Sequence, residues 1–215
     1  MKAGRHKTRL IILEGPAGVG KTTLQEYLYK NLTLKGLPVS LLPEFTNHAS
    51  GKLIKKNSKY GQQKPEWLIG MGGMLAFLSD KITALEEAVR NPDRIWICDR
   101  FIATQFVLGL KGIEDKKVAE QIIRQINDWA RNNFSVKSCL VLLDAPLDVL
   151  RKRLSLRMKR NLTPVETELL KGEMAQYSKI KLYFGTWQRM RVKATDELHE
   201  VGDKIITELL LKWKK

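Results

Sequence analysis

The stretch Leu10-Ile11-Ile12-Leu13-Glu14-Gly15-Pro16-Ala17-Gly18-Val19-Gly20-Lys21-Thr22-Thr23 decides the fold. Residues 15–22 fit G-x-x-x-x-G-K-[ST], with an apolar strand-like run before them and a helix-forming segment after. Such a turn cradles phosphate. Its glycines admit backbone N–H groups to the phosphate oxygens, and the helix N-terminus adds about half a positive charge. Lys21 is placed to neutralise the β- and γ-phosphates, and the Thr22 hydroxyl to reach Mg²⁺. Gly15, Pro16, Ala17, Gly18, Val19, Gly20, Lys21, Thr22 and Thr23 are thus expected to hold a nucleotide. A chance glycine-rich turn is the competing reading, and the flanking strand and helix weigh against it.

Further apolar runs at 39–42, 95–98, 139–143 and, less clearly, 191–194 read as strands. The clearest do not alternate polar and apolar residues, as expected of strands buried on both faces, and helical stretches lie between them at 21–34, 67–90, 116–132 and 147–157. This pattern predicts an α/β, three-layer fold of the P-loop NTPase kind: a five-stranded parallel sheet with helices on both faces, in one domain over 1–215. Thr163-Pro164-Val165-Glu166 is a capping box opening a helix to about residue 184, and 197–213 reads as a last helix. Trp67 and Trp96 are expected to pack between helices and sheet.

The 215 residues carry 43% hydrophobic and 28% charged side chains, which excludes intrinsic disorder. A net charge of +15 favours anionic partners, and all but one of those charges fall in 1–10, 51–60 and 151–160. Cys98 and Cys139 sit in apolar runs away from other metal ligands, as reduced thiols of a cytoplasmic protein would. No apolar stretch approaches the roughly 20 residues that span a bilayer, so no membrane partner is expected.

A phosphate cradle alone does not distinguish a kinase from a GTPase or a motor ATPase. After the third strand stands Asp99-Arg100-Phe101. A carboxylate at that strand end is positioned to hold Mg²⁺ through water, making Thr22 and Asp99 the expected metal residues, and Arg100 could clamp a second phosphate bidentately. A surface Asp–Arg pair is the plainer alternative.

With these motifs the chain resembles the thymidylate kinase family of P-loop nucleoside monophosphate kinases over nearly its whole length. Asp99-Arg100-Phe101 is similar to that family's Asp-Arg-aromatic motif. Pro43-Glu44, with Gly51 seven residues on, parallels its Glu-Pro-Gly-Gly-Thr segment; Phe77 and Lys81 fall where it has a base-stacking Phe and a base-reading Arg. The segment 143–146 with Arg153 and Arg157 resembles its passage from the fourth strand into the LID, a basic lid loop expected at about 157–163. The resemblance implies ATP and Mg²⁺ as cofactors, nucleotide substrates and a homodimer. Lys21, Asp99, Arg100, Arg153, Arg157 and Arg160 become the expected catalytic set, because phosphoryl transfer is driven by positioning and by cations around the transferred group. Glu44, Phe77, Lys81, Arg100 and Thr104 become the expected acceptor set. A solvated basic helix face remains the alternative for the LID cations, and core packing for Phe77.

The acceptor side also departs from the family pattern. Lys81 replaces Arg, Leu108-Gly109 stand where Tyr-Gln is usual, and Phe45-Thr46-Asn47-His48 replace Pro-Gly-Gly-Thr. Base specificity is accordingly open. Two other readings stay alongside: a deoxynucleoside kinase with Glu44 as general base, and a nucleotide-dependent protein that binds nucleic acid through its charge, the less favoured of the two.

Overall fold

A computed structural model describes residues 8–58, 65–110, 112–180, 187–195 and 197–214. Most of the basic segment 1–10, Lys59 of the second basic window, and the expected helix residues 181–184 lie outside these.

Five strands, β1 (Arg9–Glu14), β2 (Val39–Leu42), β3 (Ile95–Asp99), β4 (Cys139–Asp144) and β5 (Gln188–Lys193), form one sheet in the order β2-β3-β1-β4-β5. Every pairing is parallel. The central β1 alternates between two cores, as period-two side chains must. Ile11 and Leu13 pack with Leu24 and Leu28 of α1 (Lys21–Leu34), Leu150 and Leu154 of α5 (Leu147–Met158) and Leu209 of α7 (Leu198–Lys214). Leu10 and Ile12 pack on the other face with Leu78 and Leu85 of α3 (Gly70–Arg90), Ile123 of α4 (Lys116–Asn133) and Tyr177 of α6 (Pro164–Lys179). All strand C-termini therefore open on one edge, where ligands of parallel sheets bind. Cys98 and Cys139 are free and buried.

The structure corrects several expected boundaries. Residues 67–90 are not one helix: a 3₁₀ turn (Glu66–Leu68) precedes α3, with extended Ile69 between them and Gly70 opening α3 at a left-handed φ of +70°. Trp67 there is 43% exposed rather than packed under the sheet, while Trp96 is buried as expected. The last strand begins at Gln188, and α5 runs through Met158, which shortens the lid loop to 159–163. Two further elements complete the fold: α2 (Ala49–Asn57), whose exposed face carries Lys52, Lys55 and Lys56, and a π-helical turn (Gln105–Gly109). The Thr163 box forms as read, with Thr163 Oγ1 accepting from Glu166 N at 3.2 Å and Glu166 Oε2 accepting from Thr163 N at 2.8 Å.

Candidate active site

The phosphate loop leaves β1 through Gly15, whose φ of +148° suits glycine and whose absent Cβ would stand 2.5 Å from the Leu143 carbonyl of β4. Any side chain there would push the loop off the sheet. At its end Gly20 caps α1, and Lys21 folds back so that its ammonium donates to Gly15 O at 2.8 Å and Pro16 O at 3.0 Å. Burial, with Arg100 nearby, lowers the Lys21 pKa to about 8.

Thr22 Oγ1 donates to Asp99 Oδ2 at 2.7 Å. The second oxygen, Asp99 Oδ1, is buried with no hydrogen-bond partner among the described residues. A buried carboxylate normally uses both oxygens, so this pair suits a hard cation: one hydroxyl and one spare carboxylate oxygen beside a phosphate cradle.

Arg100 takes a φ of +59°, unusual for a residue with a Cβ. Its surroundings hold it there: Arg100 N donates to Leu13 O at 3.0 Å, and Phe101 N to Glu14 Oε1 at 2.8 Å. The guanidinium is 8% exposed; Nε pairs with Glu44 Oε1 at 2.8 Å, and Nη1 donates to the Tyr177 hydroxyl at 3.0 Å. Burial pulls its pKa down, but Tyr177 and the carboxylates of Glu44, Glu173 and Glu14 outweigh it and raise the already high value, so it stays charged.

Beneath the clamp, Glu14 is fully buried and accepts from Phe101 N, Thr104 N, Thr104 Oγ1 and the Tyr177 hydroxyl. Burial raises its pKa against the opposing pull of Arg100 and these donors. Thr104, an expected acceptor residue, thus also secures the turn after β3.

A cleft of about 2570 Å³ runs along this edge, and its lining includes the phosphate loop, Glu44, Phe77, Arg100, Thr104, Arg153, Arg157 and Arg160. The structure therefore gathers the expected residues about a single space, apart from Lys81 and the first two residues of the loop, Gly15 and Pro16. Arg153 Nη1 donates to Val19 O at 3.4 Å, tying α5 to the loop. Arg160 is gripped by Glu166 at 2.8 and 2.6 Å, which holds the Glu166 carboxyl at a pKa of about 2.

Lys81 does not line that space. It is 1% exposed, and its ammonium donates to Pro43 O at 3.0 Å and Asp99 O at 3.3 Å, tying the ends of β2 and β3 together. It lies 5.8 Å from the Phe77 ring centre, on the expected helix face, yet it faces backbone rather than the cleft. Phe77 reaches the cleft edge-on to Phe45, with ring centres 5.9 Å apart.

Sequence reasoning missed Glu14, Glu173, Tyr177, Asp80 and Gln105. Asp80 accepts from Thr46 N at 2.9 Å, from the Thr46 hydroxyl, and from Ser50 Oγ at 3.1 Å, fixing the start of α2. Gly51 is needed there, because a Cβ would sit 2.7 Å from Asp80 Oδ1. Buried Gln105 lines the cleft from the π-helical turn. A carboxylate ending an apolar strand was the available signal for Glu14. Tyr177 and Glu173 gave none that differed from ordinary helix periodicity.

A model of the thymidylate kinase family matches residues 13–205. The thymidylate kinase of Leptospira borgpetersenii serovar Hardjo-bovis is 26% identical over 211 residues, covering 95% of this chain and 92% of its own length. That of Methylococcus capsulatus is 28% identical over 148 residues, 67% of each chain. That of Bacillus velezensis is 33% identical over 98 residues, 43% of this chain and 44% of its own. With the phosphate loop, the Thr22–Asp99 pair and the Arg100 clamp on one sheet edge, this match over most of the chain makes it a member of the thymidylate kinase family and a nucleoside monophosphate kinase.

Proposed function

We propose that the enzyme transfers the γ-phosphoryl group of ATP to the 5′-phosphate of a (deoxy)nucleoside monophosphate, with Mg²⁺ held by Thr22 and Asp99. The observation that carries this reading is Asp99: Oδ2 accepts from Thr22 while the buried Oδ1 has no hydrogen-bond partner among the described residues. Bound there, Mg²⁺ would neutralise charge on the donor phosphates.

The chain's own groups divide the remaining labour. The amides of residues 15–22 and the Lys21 ammonium hold and orient the donor phosphates. Arg100 holds the acceptor phosphate in line, anchored by Glu44 and Tyr177 so that its guanidinium keeps one orientation. Arg153 and Arg157 approach the transferred group from α5, and Arg160 from the lid loop. The lid excludes water from the transfer.

Altered base recognition is supported by the acceptor end of the cleft. Phe45, Leu68, Met74, Phe77 and Phe106 line it, while Lys81 faces backbone. This lining favours stacking over paired hydrogen bonding as the source of base affinity.

The test is to incubate the protein with Mg-ATP and a panel of nucleoside monophosphates, their deoxy forms, nucleosides and short oligonucleotides, then identify the labelled product. Nucleoside diphosphate is expected. Product from free nucleosides alone would make Glu44 a general base; salt-dependent oligonucleotide binding without any small-molecule product would overturn phosphoryl transfer.

A further inference from the structure

Helix α6 buries Glu166, Leu170, Glu173 and Tyr177, which stack on one face by helical spacing. The buried stripe of a surface helix is ordinarily apolar, because a buried carboxylate needs a cation or donors to compensate it. Here three of the four residues are polar, and each meets a group of the active site. Glu166 grips Arg160 through both carboxylate oxygens. Further along, the Tyr177 hydroxyl accepts from Arg100 Nη1 at 3.0 Å and donates to Glu14 Oε2 at 2.9 Å. Between them Glu173 Oε1 stands 3.8 Å from Arg100 Nη1, within ion-pair reach but too far for a hydrogen bond. That oxygen is buried and has no hydrogen-bond partner among the described residues.

The arrangement leaves Arg100 fixed on two sides. Nε is taken by Glu44 and Nη1 by Tyr177, so the Nη2 edge, which has no hydrogen bond among the described residues, is the one offered to a phosphate. Glu173 stands within ion-pair reach of Arg100 Nη1 without a hydrogen bond to it, and a shift of about 1 Å would bring it there.

We propose that Glu173 and Tyr177 are positioning residues for Arg100, and that α6 is a strut through which the state of the lid sets the orientation of the acceptor clamp. The inference rests on Arg100 holding the acceptor phosphate. Glu166 and Glu173 lie two turns apart, about 10 Å along the axis, on a helix too short and regular to bend between them. Closing the lid over a donor nucleotide displaces the Arg160–Glu166 end. The same displacement carries Glu173 onto Nη1 and locks the guanidinium. Donor binding then tightens acceptor binding, and linkage requires the reverse by the same factor.

The experiment measures dissociation constants for dTMP, or for the monophosphate turned over fastest in the panel above, with and without a non-hydrolysable ATP analogue. Wild type, Glu173→Gln, Tyr177→Phe and Arg100→Ala are compared, each checked for folding by thermal melt. The analogue is expected to tighten the monophosphate by about fivefold or more in wild type. In Glu173→Gln and Tyr177→Phe the factor is expected to fall below about twofold, with affinity for the analogue alone unchanged. A residue that merely supported the fold would weaken both ligands and leave their ratio intact. Glu173→Gln keeps the side-chain shape and Tyr177→Phe removes one hydroxyl, so either alone reports if the other fails to fold. Undiminished tightening in the folded variants, or none in wild type, overturns the strut, while weakened monophosphate binding in Arg100→Ala would keep the clamp. Unchanged monophosphate affinity in Arg100→Ala removes clamp and strut together.

Discussion

The donor and acceptor halves of the cleft are built in opposite ways. The donor half is eight consecutive residues, Gly15 to Thr22, whose chemistry lies mostly in backbone amides. The acceptor half is assembled from Glu44 and Phe45 after β2, Phe77 on α3, Arg100 after β3 and Phe106 on the π-helical turn. Phosphate, the same in every nucleotide, can be met by a fixed turn of backbone. A base must be met by side chains, and those are free to change while the fold stays put.

The comparison is tested most severely at Lys21. Lys21→Met is expected to lower turnover on the order of 10³-fold, the effect of deleting one preorganised donor at a charged transition state. It is also expected to stabilise the protein. The drop of the Lys21 pKa from 10.5 to about 8 means that burying the charge costs about 3 kcal/mol. Losing the bonds to Gly15 O and Pro16 O returns about 2 kcal/mol of that. A net gain of about 1 kcal/mol raises the melting temperature by about 3 °C. Unchanged activity, or a marked fall in melting temperature at pH 7, would contradict the donor half as described.

Glu14 belongs to both halves, next to Gly15 in the chain yet bonded to the turn that carries Arg100. Glu14→Ala leaves two backbone N–H groups and the hydroxyls of Thr104 and Tyr177 without this acceptor. A loss of about 3 kcal/mol is expected in urea denaturation. A loss under about 1 kcal/mol would mean that the Arg100 turn holds its left-handed backbone by other means.

What was legible in the sequence follows the same division. β1, β3 and β4 announced themselves as apolar runs because both faces of those strands are covered. The cradle and the Thr163 box were legible because their chemistry is local. β5 was half legible: Arg189 and Arg191 alternate outward with Met190 and Val192 inward, so the apolar signal falls on every second residue. The bounds of α2 left little apolar signal because it buries only Gly51 and Ile54 and is fixed from outside by Asp80. For Lys81, periodicity gave the face it shares with Phe77 and could not give what its own ammonium meets: backbone carbonyls at the ends of two strands.

The acceptor half is probed more gently by Phe77→Leu, which keeps most of the buried volume and removes the ring. Base–aromatic stacking is worth about 1–3 kcal/mol, so KM for the acceptor is expected to rise roughly tenfold with kcat unchanged. Steady-state kinetics at saturating ATP decide it. An unchanged KM would leave Phe77 with only its packing against Phe45 and assign base affinity to other lining residues.

The smallest effect is expected at Glu166→Gln, where the lid meets α6. Two charge-assisted bonds to Arg160 and one from Thr163 N hold the Glu166 carboxylate at a pKa of about 2, below its ordinary 4.5. A carboxyl whose pKa is depressed by folding stabilises the native state fully above its unfolded value and loses that contribution as pH falls through the folded one. Wild type should therefore exceed Glu166→Gln in urea midpoint near neutrality, and the gap should narrow between pH 4.5 and 2. Arg160 is 45% exposed, so added salt should shrink the gap as well. A gap that is constant across this pH range would assign the stabilisation to the Thr163 cap alone, because Gln fills the same place in a capping box without carrying charge.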